Sequence, residues 1–114
     1  MPLGNPREFE VHTLCIRYML DANGLRHFRT YVDDELPVIV RSGGQLVGYF
    51  LPTDFAGPTN IAYGLIDFPS LSAYEHYRTV LGADPDHQRN VAALERTGVV
   101  LATERAFLAR ATSG

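Results

Sequence analysis

The sequence predicts one α+β domain with its elements in the order β-α-β-β-α-β: a four-stranded antiparallel sheet with helices on one face. Three observations carry this. Separate segments rich in β-branched, aromatic and aliphatic residues read as strands. Between them, apolar residues recur at steps of three and four, as on one face of a helix. The chain has 114 residues, near the commonest size for a single domain, and 46% of them are hydrophobic, enough for one core.

Residues Met1 to Glu8 carry two prolines and a glycine without periodicity, and read as a flexible arm before a domain spanning 9–108. Phe9 to Leu20 reads as the first strand. Alternation puts Leu14, Ile16, Tyr18 and Leu20 on one face and Thr13, Cys15, Arg17 and Met19 on the other. Asp21-Ala22-Asn23-Gly24 ends it with turn residues.

A helix from Leu25 to Arg41 follows, with Leu25, Phe28, Val32, Leu36 and Ile39 as its apolar stripe. Pro37 interrupts the pattern, so the helix kinks there or a second one begins. Gly43-Gly44 closes it. Gln45 to Leu51 is the second strand, with Leu46 and Phe50 opposed to Val47, Tyr49 and Leu51. A loop, Pro52 to Asn60, leads to the third strand, Ile61 to Phe68.

Ser70 is a candidate N-cap for the next helix, whose stripe would use Leu71, Tyr74, Tyr77 or Arg78, and Leu81. Gly82 to Pro85 breaks it. A further helix, Pro85 to Arg96, has proline in its first turn and Val91 and Leu94 facing inward. Gly98 closes it, Val99 to Leu108 is the last strand, and residues 109–114 form a tail. This order is that of a ferredoxin-like βαββαβ unit.

Composition narrows the function. Ten basic and 13 acidic residues leave a net charge of −3, and no run of Lys or Arg appears. A nucleic-acid partner is therefore not expected. No segment reaches the ~18 apolar residues of a membrane span, so no membrane association is expected and a cytoplasmic location is the default. The single cysteine, Cys15, cannot close a disulfide within the chain and reads as a small buried hydrophobe. The histidines His12, His27, His76 and His87 make no metal-type spacing, and Gly43-Gly44 precedes a strand, the reverse of a phosphate-cradling order. Neither a metal nor a cofactor is expected.

The strands show no clean polar face. An apolar sheet face left open by one-sided helices normally marks an interface. The natural occupant is a second copy, face to face, enclosing a barrel-like space.

Several stretches resemble the NIPSNAP family, in the dimeric α/β-barrel superfamily. They are Leu-Pro-Val-Ile-Val-Arg-Ser-Gly-Gly-Gln-Leu-Val-Gly from Leu36 to Gly48, the turn Gly57-Pro58-Thr59-Asn60, Tyr77-Arg78 followed by Leu81-Gly82-Ala83-Asp84-Pro85, and Arg17 seven residues before Gly24. Together they span about Val11 to Leu108. The resemblance implies the ferredoxin-like fold and a homodimer more than any reaction. Where the family pattern carries a histidine and then a tryptophan after the Gly-Pro-x-Asn turn, this chain has Gly64 and Ile66. Where it carries a tryptophan after Asp-Pro, this chain has His87, and the chain contains no tryptophan.

Arg17 lies among apolar residues on its strand, where an unpaired guanidinium is costly to bury. It either holds a carboxylate or other anion in a cavity at the sheet face or forms an ion pair with Asp67, Glu104 or Glu75. Tyr49 and Tyr63 would add hydroxyl donors, His12 a proton acceptor and Asn60 a polar orienter. The sequence thus admits three functions. One is a dimer binding a small organic molecule, an anion among the options. The second is a cofactor-free monooxygenase or isomerase, by analogy of fold. The third is an interaction module without a ligand.

Overall fold

The structure, a computed structural model, describes residues 11–111. The arm Met1 to Glu8, the expected strand start at Phe9 and the end of the tail lie outside the described residues.

The strands are β1 (His12–Leu20), β2 (Gln45–Phe50), β3 (Ile61–Phe68) and β4 (Val100–Ala109). The helices are α1 (Leu25–Arg41), α2 (Leu71–Ala83) and α3 (Pro85–Thr97), with one 3₁₀ turn at Ala22–Gly24. The sheet runs β2-β3-β1-β4, and each neighbouring pair is antiparallel. This is the ferredoxin-like arrangement, with β1 and β3 central and β2 and β4 as edges.

The core forms where the even-numbered positions of β1 and β3 meet the helices. Leu14, Ile16, Tyr18 and Leu20 of β1 and Ala62, Ile66 and Phe68 of β3 pack with Phe28, Val32, Val38 and Ile39 of α1 and with Tyr77 and Leu81 of α2. Phe28 and Phe68 are fully buried, each worth about 2–3 kcal/mol in apolar transfer. Leu71, expected on the inner stripe of α2, is instead exposed in that helix's first turn.

Caps set the helix boundaries. The Ser70 hydroxyl accepts from the Ala73 N–H at 3.0 Å, and the Asp84 carboxylate accepts from the Asp86 N–H at 2.8 Å. Gly98 closes α3 at φ 66°, a conformation a side chain would oppose. Pro37 neither ends α1 nor starts another helix: the helix runs unbroken through it. Pro37 and Asp33, whose carbonyl loses its usual N–H partner, both lie on the exposed side, where water can replace that bond.

One departure from simple alternation redirects a side chain. β2 carries a bulge between Leu46 and Gly48: Leu46 pairs with Ile66, Gly48 with Leu65 and Tyr49 with Gly64. Strict alternation would set Tyr49 on the face opposite Leu46. The extra residue moves Tyr49 onto Leu46's face, toward the helices, and leaves Phe50 beside Tyr63 on the other.

The face away from the helices carries Thr13, Cys15, Arg17 and Met19 of β1, and Tyr63, Leu65 and Asp67 of β3. Ala102, Glu104, Ala106 and Leu108 of β4 complete it. Cys15 is half-buried there, less enclosed than the sequence reading expects, because no layer covers that face within the chain. Among the described residues, no helix is long and apolar enough to cross a membrane.

Candidate functional site

A cavity of about 250 Å³ lies between the sheet and the helical layer. Its sheet side is Leu14, Ile16 and Tyr18 of β1, Tyr49 of β2, Ile66 of β3 and Arg105 of β4. Its helical side is Tyr31, Glu35 and Ile39 of α1, Tyr77, Arg78 and Leu81 of α2, and His87 and Val91 of α3. The walls are mostly aliphatic and aromatic, with a few converging polar groups, the usual make-up of a small-molecule site.

Glu35 anchors the polar part. It is only 2% exposed, on the stripe that carries Phe28, Val32 and Ile39. A buried carboxylate needs partners, and this one has three. Its Oε1 accepts from the Asn90 amide at 3.1 Å. Its Oε2 lies 2.5 Å from His87 Nδ1 and accepts from the Tyr31 hydroxyl at 3.4 Å. His87 and Asn90 are three residues apart on α3, so one helical face presents both to α1.

Three hydrogen bonds from the end of α1 hold that face in place. Arg41 donates to both carboxylate oxygens of Asp84, from Nε at 2.9 Å and Nη2 at 2.8 Å. Its Nη2 also donates to Asp86 at 2.7 Å. Asp84 caps α3 and Asp86 lies in its first turn, beside His87. A cation at the C-terminal end of α1 and acids at the N-terminal end of α3 also suit the two helix dipoles.

Across the cavity, the hydroxyls of Tyr18 and Tyr49 are 2.9 Å apart. Tyr49 reaches this position because of the β2 bulge and because its partner is a glycine. A Cβ on Gly64 would meet the Tyr49 ring at 2.6 Å. Burial pushes the phenols of Tyr18, Tyr31, Tyr49 and Tyr77 above their ordinary range, and neighbouring Glu35 adds to the rise for Tyr18, Tyr31 and Tyr77. All four remain neutral hydrogen-bonding groups at physiological pH. Arg78 and Arg105 are exposed, and neither forms an ion pair among the described residues.

The residues singled out by sequence are distributed differently. Tyr49 lines the cavity. Arg17 and Tyr63 are cross-strand partners on the opposite face of the sheet. Arg17 donates to Glu104 at 3.0 Å, one of the ion pairs the sequence allowed. His12 begins β1 opposite Phe68 and Ala109. Asn60 donates from its side chain to the Leu20 carbonyl at 3.2 Å and joins the β2–β3 loop to the end of β1. These five residues do not converge. No group of three or more His, Cys, Asp or Glu among the described residues could hold a metal ion.

Glu35 was missed by sequence reasoning, yet its signal is present. It stands three residues after Val32 and four before Ile39, which puts an acid on the apolar stripe.

Comparison with known proteins agrees with this architecture. The NIPSNAP family model matches residues 13–113. A NIPSNAP family protein of unknown function from Agrobacterium tumefaciens superposes with a TM-score of 0.79 at 23% identity, covering 90% of each chain. An uncharacterized NIPSNAP-like domain protein from Burkholderia xenovorans gives 0.76 at 26% identity, covering 93% of this chain and 90% of that one. More distant in sequence, SnoaB, a cofactor-independent oxygenase from Streptomyces nogalater, gives 0.62 at 13% identity, covering 91% of this chain and 96% of that one. No curated protein matches the chain. The family motifs in the sequence, the βαββαβ topology and a family match running from Thr13 to beyond β4 lead to one conclusion: the chain belongs to the NIPSNAP family.

Proposed function

We propose that this protein binds a small organic anion in the cavity between sheet and helices, and that two copies pair through their open sheet faces. The observation that carries the ligand reading is the cavity itself: apolar walls, neutral phenols as hydrogen-bonding groups, and two cations, Arg78 and Arg105, on its lining. An apolar body would sit against Ile16, Ile39, Ile66 and Val91. A carboxylate or phenolate would face the guanidiniums, which favour planar anions. Its volume suits a ligand at the small end of the usual range. A cavity lined by these groups supports a ligand over a ligand-free interaction module.

The open face supports the dimer. Met19, Phe50, Tyr63 and Leu108 are all at least a third exposed there, and Arg17 and Glu104 supply opposite charges that a two-fold partner could meet in turn. SnoaB, a fold relative, is a cofactor-independent oxygenase, so this fold can house chemistry without a cofactor; that point is one of fold alone.

A thermal-shift panel of aromatic and aliphatic carboxylates tests the ligand reading. At least one should raise the melting temperature of the native protein. Arg105→Ala should diminish that rise, while Arg17→Ala should leave it unchanged. If the rise depends on Arg17 and not on Arg105, the ligand belongs to the open face and this assignment of the site is wrong.

A further inference from the structure

The Glu35–His87 pair has a geometry that ligand binding alone does not require. His87 Nδ1 is engaged by the buried Glu35 carboxylate, while its other ring nitrogen has no hydrogen-bond partner among the described residues and the ring lines the cavity. A carboxylate on Nδ1 holds the proton there and leaves Nε2 as a free lone pair. This is the arrangement of a general base fixed in one tautomer by a carboxylate. Across the cavity, whichever of Tyr18 and Tyr49 donates to the other, one phenolic O–H is left over. Arg105 adds a positive charge on the same lining.

We infer that the cavity is a proton-transfer site, with His87 as the catalytic base, Glu35 as its positioning residue, and a small 2-oxo acid bearing an acidic C–H beside the carbonyl as substrate. This rests on reading the cavity as the ligand site. In the step, the Nε2 lone pair takes the proton from the carbon next to the carbonyl. The C–H electron pair becomes the C=C bond, and the carbonyl π pair moves onto oxygen to give an enolate. The free phenolic O–H and the Arg105 guanidinium face that oxygen's developing charge. The imidazolium, held beside the Glu35 carboxylate, then returns its proton to oxygen or carbon. The net reaction is a keto–enol isomerisation. Atoms and electrons balance with no oxidant, reductant or cofactor.

Phenylpyruvate is the probe: it carries the carboxylate, the carbonyl, an acidified C–H and an apolar ring. Loss of its C3–H proton signal in D₂O measures exchange, and its effect on the melting temperature measures binding separately. The native protein should bind it and speed exchange above the buffer rate. His87→Asn, which keeps a donor for Glu35, should still bind but lose roughly 100-fold or more of the acceleration. His87→Gln provides a second variant should the first not fold. Glu35→Gln has its own signature: the His87 ring ¹⁵N shifts should report a single Nδ1–H tautomer in the native protein and a mixture in the variant.

Binding by the native protein without faster exchange overturns the base and leaves the ligand site standing. Full exchange activity in the folded His87 variants overturns it equally. Absence of both binding and exchange overturns the ligand-site reading together with the base.

Discussion

At the scale of single residues, the site depends on one missing side chain. Gly64 stands where the family pattern has a histidine, and its absent Cβ is the space the Tyr49 ring occupies. Gly64→Ala should therefore cost about 1–3 kcal/mol through overpacking, read by chemical denaturation. The same substitution in a Tyr49→Ala background should cost much less, because the clashing ring is gone; equal costs in both backgrounds would place the strain elsewhere. The buried phenols make a second prediction. Tyr18, Tyr31, Tyr49 and Tyr77 are held above the ordinary tyrosine value of 10.0 in the native state and return to it on unfolding. Above pH 10 the unfolded chain has released protons that the native chain keeps. Stability should fall there as pH rises, by up to about 1.4 kcal/mol per pH unit for each tyrosine, and these groups should add no pH dependence below that point. Denaturant midpoints measured from pH 8 to 11 would show the break.

At the scale of elements, the joint between α1 and α3 decides whether the polar groups meet. It has an outer clamp, Arg41 on Asp84 and Asp86, and an inner one, Glu35 on His87 and Asn90. The Arg41 side chain is 48% exposed, so solvent screens the outer clamp and Arg41→Ala should cost only about 0.5–1 kcal/mol. Glu35→Ala removes the buried acceptor shared by Asn90, His87 and Tyr31 and should cost about 2–4 kcal/mol. Urea denaturation of the two variants would rank them, and the reverse order would mean that the outer clamp carries the joint. Much at this scale was legible in the sequence. The range Leu25 to Arg41, the Ser70 cap and the Ile61 to Phe68 strand follow from periodicity and local capping chemistry, which act over a few residues. The unbroken passage through Pro37 was not legible, because it depends on which side of the helix faces water. Nor was the face of Tyr49: a bulge depends on a neighbouring strand, and one inserted residue reverses the alternation. The chemistry was read from Arg17 and its neighbours, the charge and hydroxyls on the strands, while the convergent set uses an acid on a helical stripe and a histidine 52 positions away in sequence.

At the scale of the whole molecule, the sheet has one face packed and one open. The packed face carries the cavity. The open face carries apolar side chains alternating with the Arg17–Glu104 pair, and a second copy is the occupant we propose. Light scattering after size exclusion should give twice the chain mass, and Tyr63→Glu, which puts a charge in the middle of that face, should give the chain mass. A native protein of single-chain mass in dilute solution would contradict the pairing. The two faces are separated by the thickness of the sheet, so loss of the dimer and loss of ligand binding are separable outcomes.

The central claim is that ligand chemistry lies on the helical side of the sheet, not on the open face where Arg17 and Tyr63 stand. Amide and side-chain NMR shifts during titration with phenylpyruvate and related carboxylates test it most directly. The account predicts that the perturbed resonances cluster on Tyr31, Glu35, Tyr49, His87, Val91 and Arg105. Perturbations centred on Arg17, Tyr63 and Glu104, with the cavity residues unmoved, would contradict it.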